Sequence, residues 1–195
     1  MSMSYEDRRK LLESRLKPSR YRHSLGVADT AAFLAGRFGV DVEQARLAGL
    51  LHDCAREFPN DAMVAEADKR RIAYGPIERA MPLLLHAYLG AARVRECYDV
   101  DDDAICQAIY RHTVGGRGMT RLDKIVWFAD MIEPNREYPE VEMLRRLSRE
   151  ASLDEMLLVG LTESIKFVAQ KGTMLHPDTI AARNELLLRG VKSPV

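Results

Sequence analysis

Cysteine is scarce in this chain, with Cys54, Cys97 and Cys106 among 195 residues. An odd, widely spaced set without a CxxC pair argues against a disulfide framework and against a thiolate zinc site. The three read as small packing residues. A surplus of either charge is also missing, because Lys+Arg 29 and Asp+Glu 29 cancel to a formal net charge of +0. No basic footprint for holding nucleic acid along its phosphates is therefore expected, whereas a small phosphorylated ligand needs only a few local arginines. No apolar run approaches the ~18 residues of a membrane span. Residues 1–9 carry charges where a signal peptide has its apolar stretch, so the expectation is a cytoplasmic protein without a membrane partner. Strict apolar/polar alternation long enough for a sheet is lacking too, as are internal repeats, low-complexity tracts and a linker.

What the chain does have is apolar spacing at the helical period, within a composition 47% hydrophobic and 30% charged. A chain of this size buries about two-thirds of the surface its unfolded form exposes. From His23, the positions Val27, Ala31, Leu34 and Phe38 follow at steps of four, four, three and four, predicting a helix that ends at Gly39. Leu47, Leu50, Leu51, Cys54 and Phe58 repeat the pattern until Pro59 stops it. Further helices are expected after Asn60, broken at Tyr74-Gly75-Pro76, then from Pro82 to about Tyr98, and from an Asp101 cap through His112. Gly115, Gly116 and Gly118 predict a mobile or tightly turned loop. Thr120 and Asp123 form a capping-box pattern ahead of the stripe Leu122, Ile125, Val126, Ala129 and Ile132. Helices over 152–170 and 177–188 close at Gly172 and Gly190. The fold class read from this is all-α: one helical domain over 1–195, with a core at about 18–136 and C-terminal helices within 141–190 packed on it.

The histidines and some aspartates fall at helix ends or on core-facing positions. His23 opens a helix, His52-Asp53 follows the run Leu50-Leu51, His86 opens another helix, His112 closes one, and Asp130 lies on an apolar stripe. Unpaired ionisable groups there are costly to desolvate. A divalent metal compensates them, since imidazole nitrogen and carboxylate oxygen bind Fe(II), Mn(II), Zn(II) or Co(II) at about 2.0–2.2 Å. Adjacent residues on a helix stand about 100° apart, and an irregular last turn lets both His52 and Asp53 face one ion. Arg20, Arg22, Arg56, Arg111 and Arg136 read either as solvated helix-face charges or as anion holders. His176-Pro177 reads as a helix entry and Asp123 as a cap. Glu133 either pairs with an arginine or binds water beside a metal.

With those residues in view, the chain resembles the HD-domain metal-dependent phosphohydrolases, whose pattern of histidine, His-Asp pair, further histidines and distant aspartate is met by His23, His52-Asp53, His86, His112 and Asp130. More narrowly it is similar to the YqeK-type symmetrical bis(5'-nucleosyl)-tetraphosphatases. The match runs through Arg20-Tyr21-Arg22-His23-Ser24, Ala48-Gly49-Leu50-Leu51-His52-Asp53, Leu85-His86 and Arg111-His112-Thr113, and through Met119–Ile125 and Ala129–Arg136. It continues to Leu175-His176-Pro177 and Ala182-Arg183-Asn184.

The resemblance implies an HD-type helical bundle and a metal held by His23, His52, Asp53 and Asp130. Iron is the expected ion, with manganese, cobalt or zinc as substitutes. It implies catalytic roles for Asp53, His86 and His112, and a nucleotide partner bound by Arg20, Asp53, Arg56, His86, His112, Thr113, Asp130 and Arg136. One departure is Arg56, where the family usually has lysine; arginine keeps the charge but effectively never gives up its proton. The implied reaction is hydrolysis of diadenosine tetraphosphate to two ADP by a metal-activated water, with His86 and His112 donating to phosphate oxygens or protonating the leaving group. The glycine loop would admit backbone to the ligand or close over it. An HD-type nucleotidase or phosphodiesterase of other specificity, or a non-catalytic nucleotide-binding regulator, are the alternatives. A homodimer is left open.

Overall fold

Proline begins the helix that carries the first histidine. Pro18 supplies a fixed φ and lacks the N–H that a first helical turn leaves unused, so α2 runs Pro18–Phe38 and ends on Gly39, whose φ of 65° is left-handed. A computed structural model describes residues 3–195; Met1 and Ser2, within the charged start read above, lie outside the described residues. The remaining helices are α1 Tyr5–Arg15, α3 Val42–Leu51, α4 Met63–Lys69, α5 Pro76–Ala80, α6 Leu85–Tyr98, α7 Asp103–Arg111, α8 Arg121–Ile132, α9 Val141–Glu150, α10 Leu153–Gln170 and α11 Pro177–Leu188. No strand occurs among the described residues.

Three expectations need correction. The second helix starts at Pro18, so His23 sits in its second turn and does not open it. The expected single helix through Phe58 stops at Leu51: His52 keeps helical dihedrals as its C-cap, Asp53 leaves them, and Cys54–Glu57 continue as a tight 3-10 turn. Periodicity missed this because Cys54 and Ala55 are buried by that turn just as a helix would bury them. Asp102, not Asp101, caps α7, accepting from the N–H groups of Ala104 and Ile105. The capping box at Thr120 and Asp123 forms as read.

The core is built around α2, which packs along α3 and α8, while α7 lies against α3, α6 and α8. Val27, Ala31 and Leu34 of α2 are fully buried, as are Leu50 and Leu51 of α3 and Ile125 and Phe128 of α8. The C-terminal pair enters through α10, which packs on α8 and carries α11. A smaller cluster of Met63, Ala67, Leu85 and Leu89 seats α4 against α6.

The α2/α3 contact is close enough to demand glycine. A Cβ on Gly49 would stand 2.9 Å from the Val27 carbonyl oxygen and 3.0 Å from Ala28 Cα, both backbone atoms that cannot rotate away. Gly49→Ala is expected to lower stability by about 1–3 kcal/mol, the scale of overpacking a tight contact. The urea midpoint should drop at an unchanged m-value; an unaltered midpoint would show that the helices separate freely.

Candidate functional site

Four histidines converge from four elements, and each is oriented by what its Nδ1 meets. His52 Nδ1 lies 2.7 Å from the Gly49 carbonyl oxygen and His112 Nδ1 2.6 Å from that of Ile109, while His86 Nδ1 faces the Leu83 carbonyl. A carbonyl only accepts, so these three Nδ1 atoms carry the proton. His23 Nδ1 donates instead to the Glu133 carboxylate at 3.0 Å. The four Nε2 atoms therefore point inward. His23 and His52 approach Nε2 to Nε2 at 3.2 Å, and His86 and His112 at 3.0 Å. Burial, followed by the neighbouring His86 and His52, pushes His112 down to about 3, so it is neutral and presents a lone pair.

Asp53 joins the two histidine pairs. Its Oδ2 stands 3.5 Å from His52 Nε2 and 3.8 Å from His23 Nε2; its Oδ1 stands 3.2 Å from His86 Nε2 and 3.8 Å from His112 Nε2. Although burial raises its pKa, the adjoining His52 and His86 outweigh that and hold the carboxyl well below the usual range. Asp130 comes from the last turn of α8, with Oδ1 3.0 Å from His23 Nε2 and 3.9 Å from His52 Nε2. It too is held ionised: burial opposes this, but the His23 hydrogen bond, His52 and Arg136 prevail.

The donor set fits a divalent cation. Imidazole Nε2 atoms facing one another across 3.0 to 3.2 Å need a proton or a metal between them. An ion at about 2.1 Å from each ligand places neighbouring donors roughly 3.0–3.4 Å apart. The structure sets Nε2 of His23 and His52 with carboxylate oxygens of Asp53 and Asp130 at 3.0 to 3.9 Å. Two overlapping groups meet the geometry for holding a metal: His23, His52 and Asp130, and His52, Asp53 and His112.

Arginines flank this centre on both sides. Arg20 donates from Nη1 to Asp53 Oδ2 at 2.8 Å, and Arg136 pairs with the Asp130 carboxylate while its Nε donates to the Asp130 carbonyl oxygen at 2.8 Å. Arg56 is half-buried; burial lowers its pKa, against the pull of the Asp53 charge. It reaches the site through the tight turn after Asp53, whose carbonyl accepts the Arg56 N–H at 2.9 Å, and not along a continuous helical face. Thr113 Oγ1 lies 3.2 Å from His86 Nε2 and 3.1 Å from His112 Nε2. Arg22 is exposed, and Arg111 is used elsewhere, donating to Asp123 and to the Gly118 carbonyl.

Other residues singled out in the sequence have structural positions. Gly115 and Gly118 adopt φ of 71° and 63°, and the loop packs on the C-terminal helices: the Gly118 N–H donates to Glu185 at 2.8 Å, and Thr179 Oγ1 donates to the Val114 carbonyl at 2.8 Å. It is a fixed turn behind Thr113. His176 caps α11, its Nδ1 accepting from the Asp178 N–H, so Nε2 carries the proton and donates to Glu78 at 2.9 Å. Glu78 also accepts from the Tyr88 hydroxyl at 3.0 Å, and these bonds hold its carboxyl low against burial.

Glu133 meets a histidine with its carboxylate. It orients His23, its Oε2 held in turn by the N–H and side-chain amide of Asn135 at 2.7 and 2.8 Å. The signal was the three-residue step from Asp130 to Glu133 at the end of α8.

The chain is similar to known proteins over most of its length. Residues 20–135 match the HD domain family. The chain is 36% identical over 178 residues to a symmetrical bis(5'-nucleosyl)-tetraphosphatase of Halalkalibacterium halodurans, covering 91% of this chain and 94% of the relative. It is 35% identical over 185 residues to the protein of that name in Bacillus subtilis, covering 95% and 98%. A crystal structure from Clostridium acetobutylicum, described as a predicted HD superfamily hydrolase involved in NAD metabolism, superposes with a TM-score of 0.91 at 39% identity. It spans 97% of this chain and 100% of that one.

Proposed function

Because the chain belongs to the HD domain family, we propose that it is a metal-dependent hydrolase that cuts diadenosine tetraphosphate symmetrically into two ADP. One observation carries this reading: five metal-competent side chains converge in a chain collinear, over 91% to 95% of its length, with symmetrical bis(5'-nucleosyl)-tetraphosphatases. His23, His52, Asp53 and Asp130 hold the ion, which is iron in this reading, with manganese, cobalt and zinc as the other ions this donor set accepts. When bound, the metal lowers the pKa of its water and polarises a phosphoryl oxygen.

The chain's own groups do the rest. Asp53, ionised and shared between the two histidine pairs, orients the centre. His112 turns Nε2 to the centre beside the Thr113 hydroxyl, which supplies a further donor on that side. Arg20 and Arg136 each spend part of a five-donor guanidinium on a carboxylate and turn the remainder to phosphate oxygens, with Arg56 beside them.

Arg136→Ala is expected to raise KM about tenfold with kcat within about twofold, as for a contact equal in ground and transition states. Steady-state kinetics decide it, and a lost kcat at unchanged KM would place Arg136 in the chemical step. The reading itself is tested by metal analysis of the purified protein and a chromatogram of products. ADP alone is expected. ATP with AMP would overturn the symmetrical cut, activity only on other nucleotides would make it a different HD hydrolase, and binding without turnover would make it a regulator.

A further inference from the structure

A cavity of about 690 Å³ opens beside the metal-competent centre, on the Asp53 side. Its wall runs from Lys17, Ser19 and Arg20 at the start of α2 to Arg56, Phe58 and Asn60 beyond α3. That volume falls in the range of about 300–1,000 Å³ typical of small-molecule clefts. Arg20 belongs to both spaces, because the guanidinium that lines the cavity also donates to Asp53 Oδ2. Two arginines and a lysine thus lead outward from the centre. Of the acidic groups on the same wall, Glu57 is already paired with Arg93 at 2.9 Å, leaving Asp61 at the exposed rim. Phe58 is steadied by the guanidinium groups of Arg70 and Arg93, which lie 5.7 and 5.3 Å from its ring.

A symmetrical cut imposes its own demand. The bond broken lies at the middle of the tetraphosphate, so at the moment of reaction two nucleoside diphosphate halves of equal size extend in opposite directions from one centre. Arg136 stands at Asp130, and Arg20 and Arg56 stand at Asp53. Resting on the function proposed above, we infer that the cavity between Lys17 and Asn60 takes one whole nucleoside diphosphate half of the substrate. Lys17, Arg20 and Arg56 hold its two phosphates, and Phe58 and Asn60 face its nucleoside. The product complex then holds two ADP molecules, one of them in this cavity.

The test uses metal-loaded protein and ADP, diadenosine tetraphosphate and adenosine 5'-tetraphosphate as probes. Asn60 is exposed, so Asn60→Trp fills the cavity without disturbing the core. Wild-type protein is expected to bind two ADP per chain by calorimetry and Asn60→Trp one. KM for the dinucleotide should rise about tenfold, roughly 1.4 kcal/mol, while KM for the mononucleoside tetraphosphate changes less than about twofold. Lys17→Glu, which adds no bulk, should raise KM for the dinucleotide by an amount that shrinks as salt is added. One ADP per wild-type chain, or an unchanged dinucleotide KM in Asn60→Trp, overturns the inference. A chain that leaves diadenosine tetraphosphate uncut fails the parent function instead, which separates the two.

Discussion

Asp53→Asn is expected to cut turnover of diadenosine tetraphosphate by about 10³-fold or more, the scale seen when one member of a group acting as a unit is removed. The amide keeps the shape of the carboxylate but not its charge. It can no longer offer Oδ2 to the His23 and His52 side and Oδ1 to the His86 and His112 side as two anionic oxygens. Arg20 also loses the carboxylate it donates to. The helices should survive, because Asp53 sits between α3 and the following 3-10 segment and caps the latter through its backbone carbonyl alone, its side chain making no capping bond. Far-ultraviolet circular dichroism should therefore match wild type. Retention of a tenth or more of the turnover, with the fold intact, would remove Asp53 from the reaction.

Glu133→Gln should weaken metal binding by about 10–100-fold, the usual cost of losing the partner that orients a ligating histidine. Fully loaded enzyme should keep kcat within about threefold. The carboxylate fixes the His23 proton on Nδ1 and aims Nε2 at Asp130, and a glutamine amide can present a donor to that same nitrogen. Gly26→Ala should reproduce the effect from the opposite side, because a Cβ there would collide with Glu133 Oε2. Metal retained per chain after dialysis against graded chelator measures both. Unchanged retention in the two variants would make Glu133 a fold residue only.

Much of the helical frame was readable because core-facing residues recur every three or four positions in α2, α7 and α8, with a chemically distinct cap at Thr120. α1 was not, since Leu12 alone among its residues is buried and no stripe exists to detect. The break after Leu51 was hidden for the opposite reason: a 3-10 turn and an α-helix bury Cys54 equally well. At the centre, residue types and order announced a metal-competent set, and the structure brings His23, His52, Asp53, His86, His112 and Asp130 within a few ångströms. What one dimension does not carry is direction. That Glu133 faces His23 across 110 positions, and that Arg111 serves Asp123 and not the centre, depend on how the helices rotate against one another.

The bond from His176 to Glu78 joins residues 98 positions apart. Glu78 also holds the hydroxyl of Tyr88, two residues past His86 on α6. A chain still emerging from the ribosome can assemble α2 through α8 before residue 176 exists, but the strap across α5 and α6 is tied only when α11 arrives. Contacts so distant in sequence form late. Protease cleavage ahead of Pro177 should therefore loosen the His86 wall selectively, while the His23 and His52 wall, secured by the α2/α3 pairing, stays protected from amide exchange.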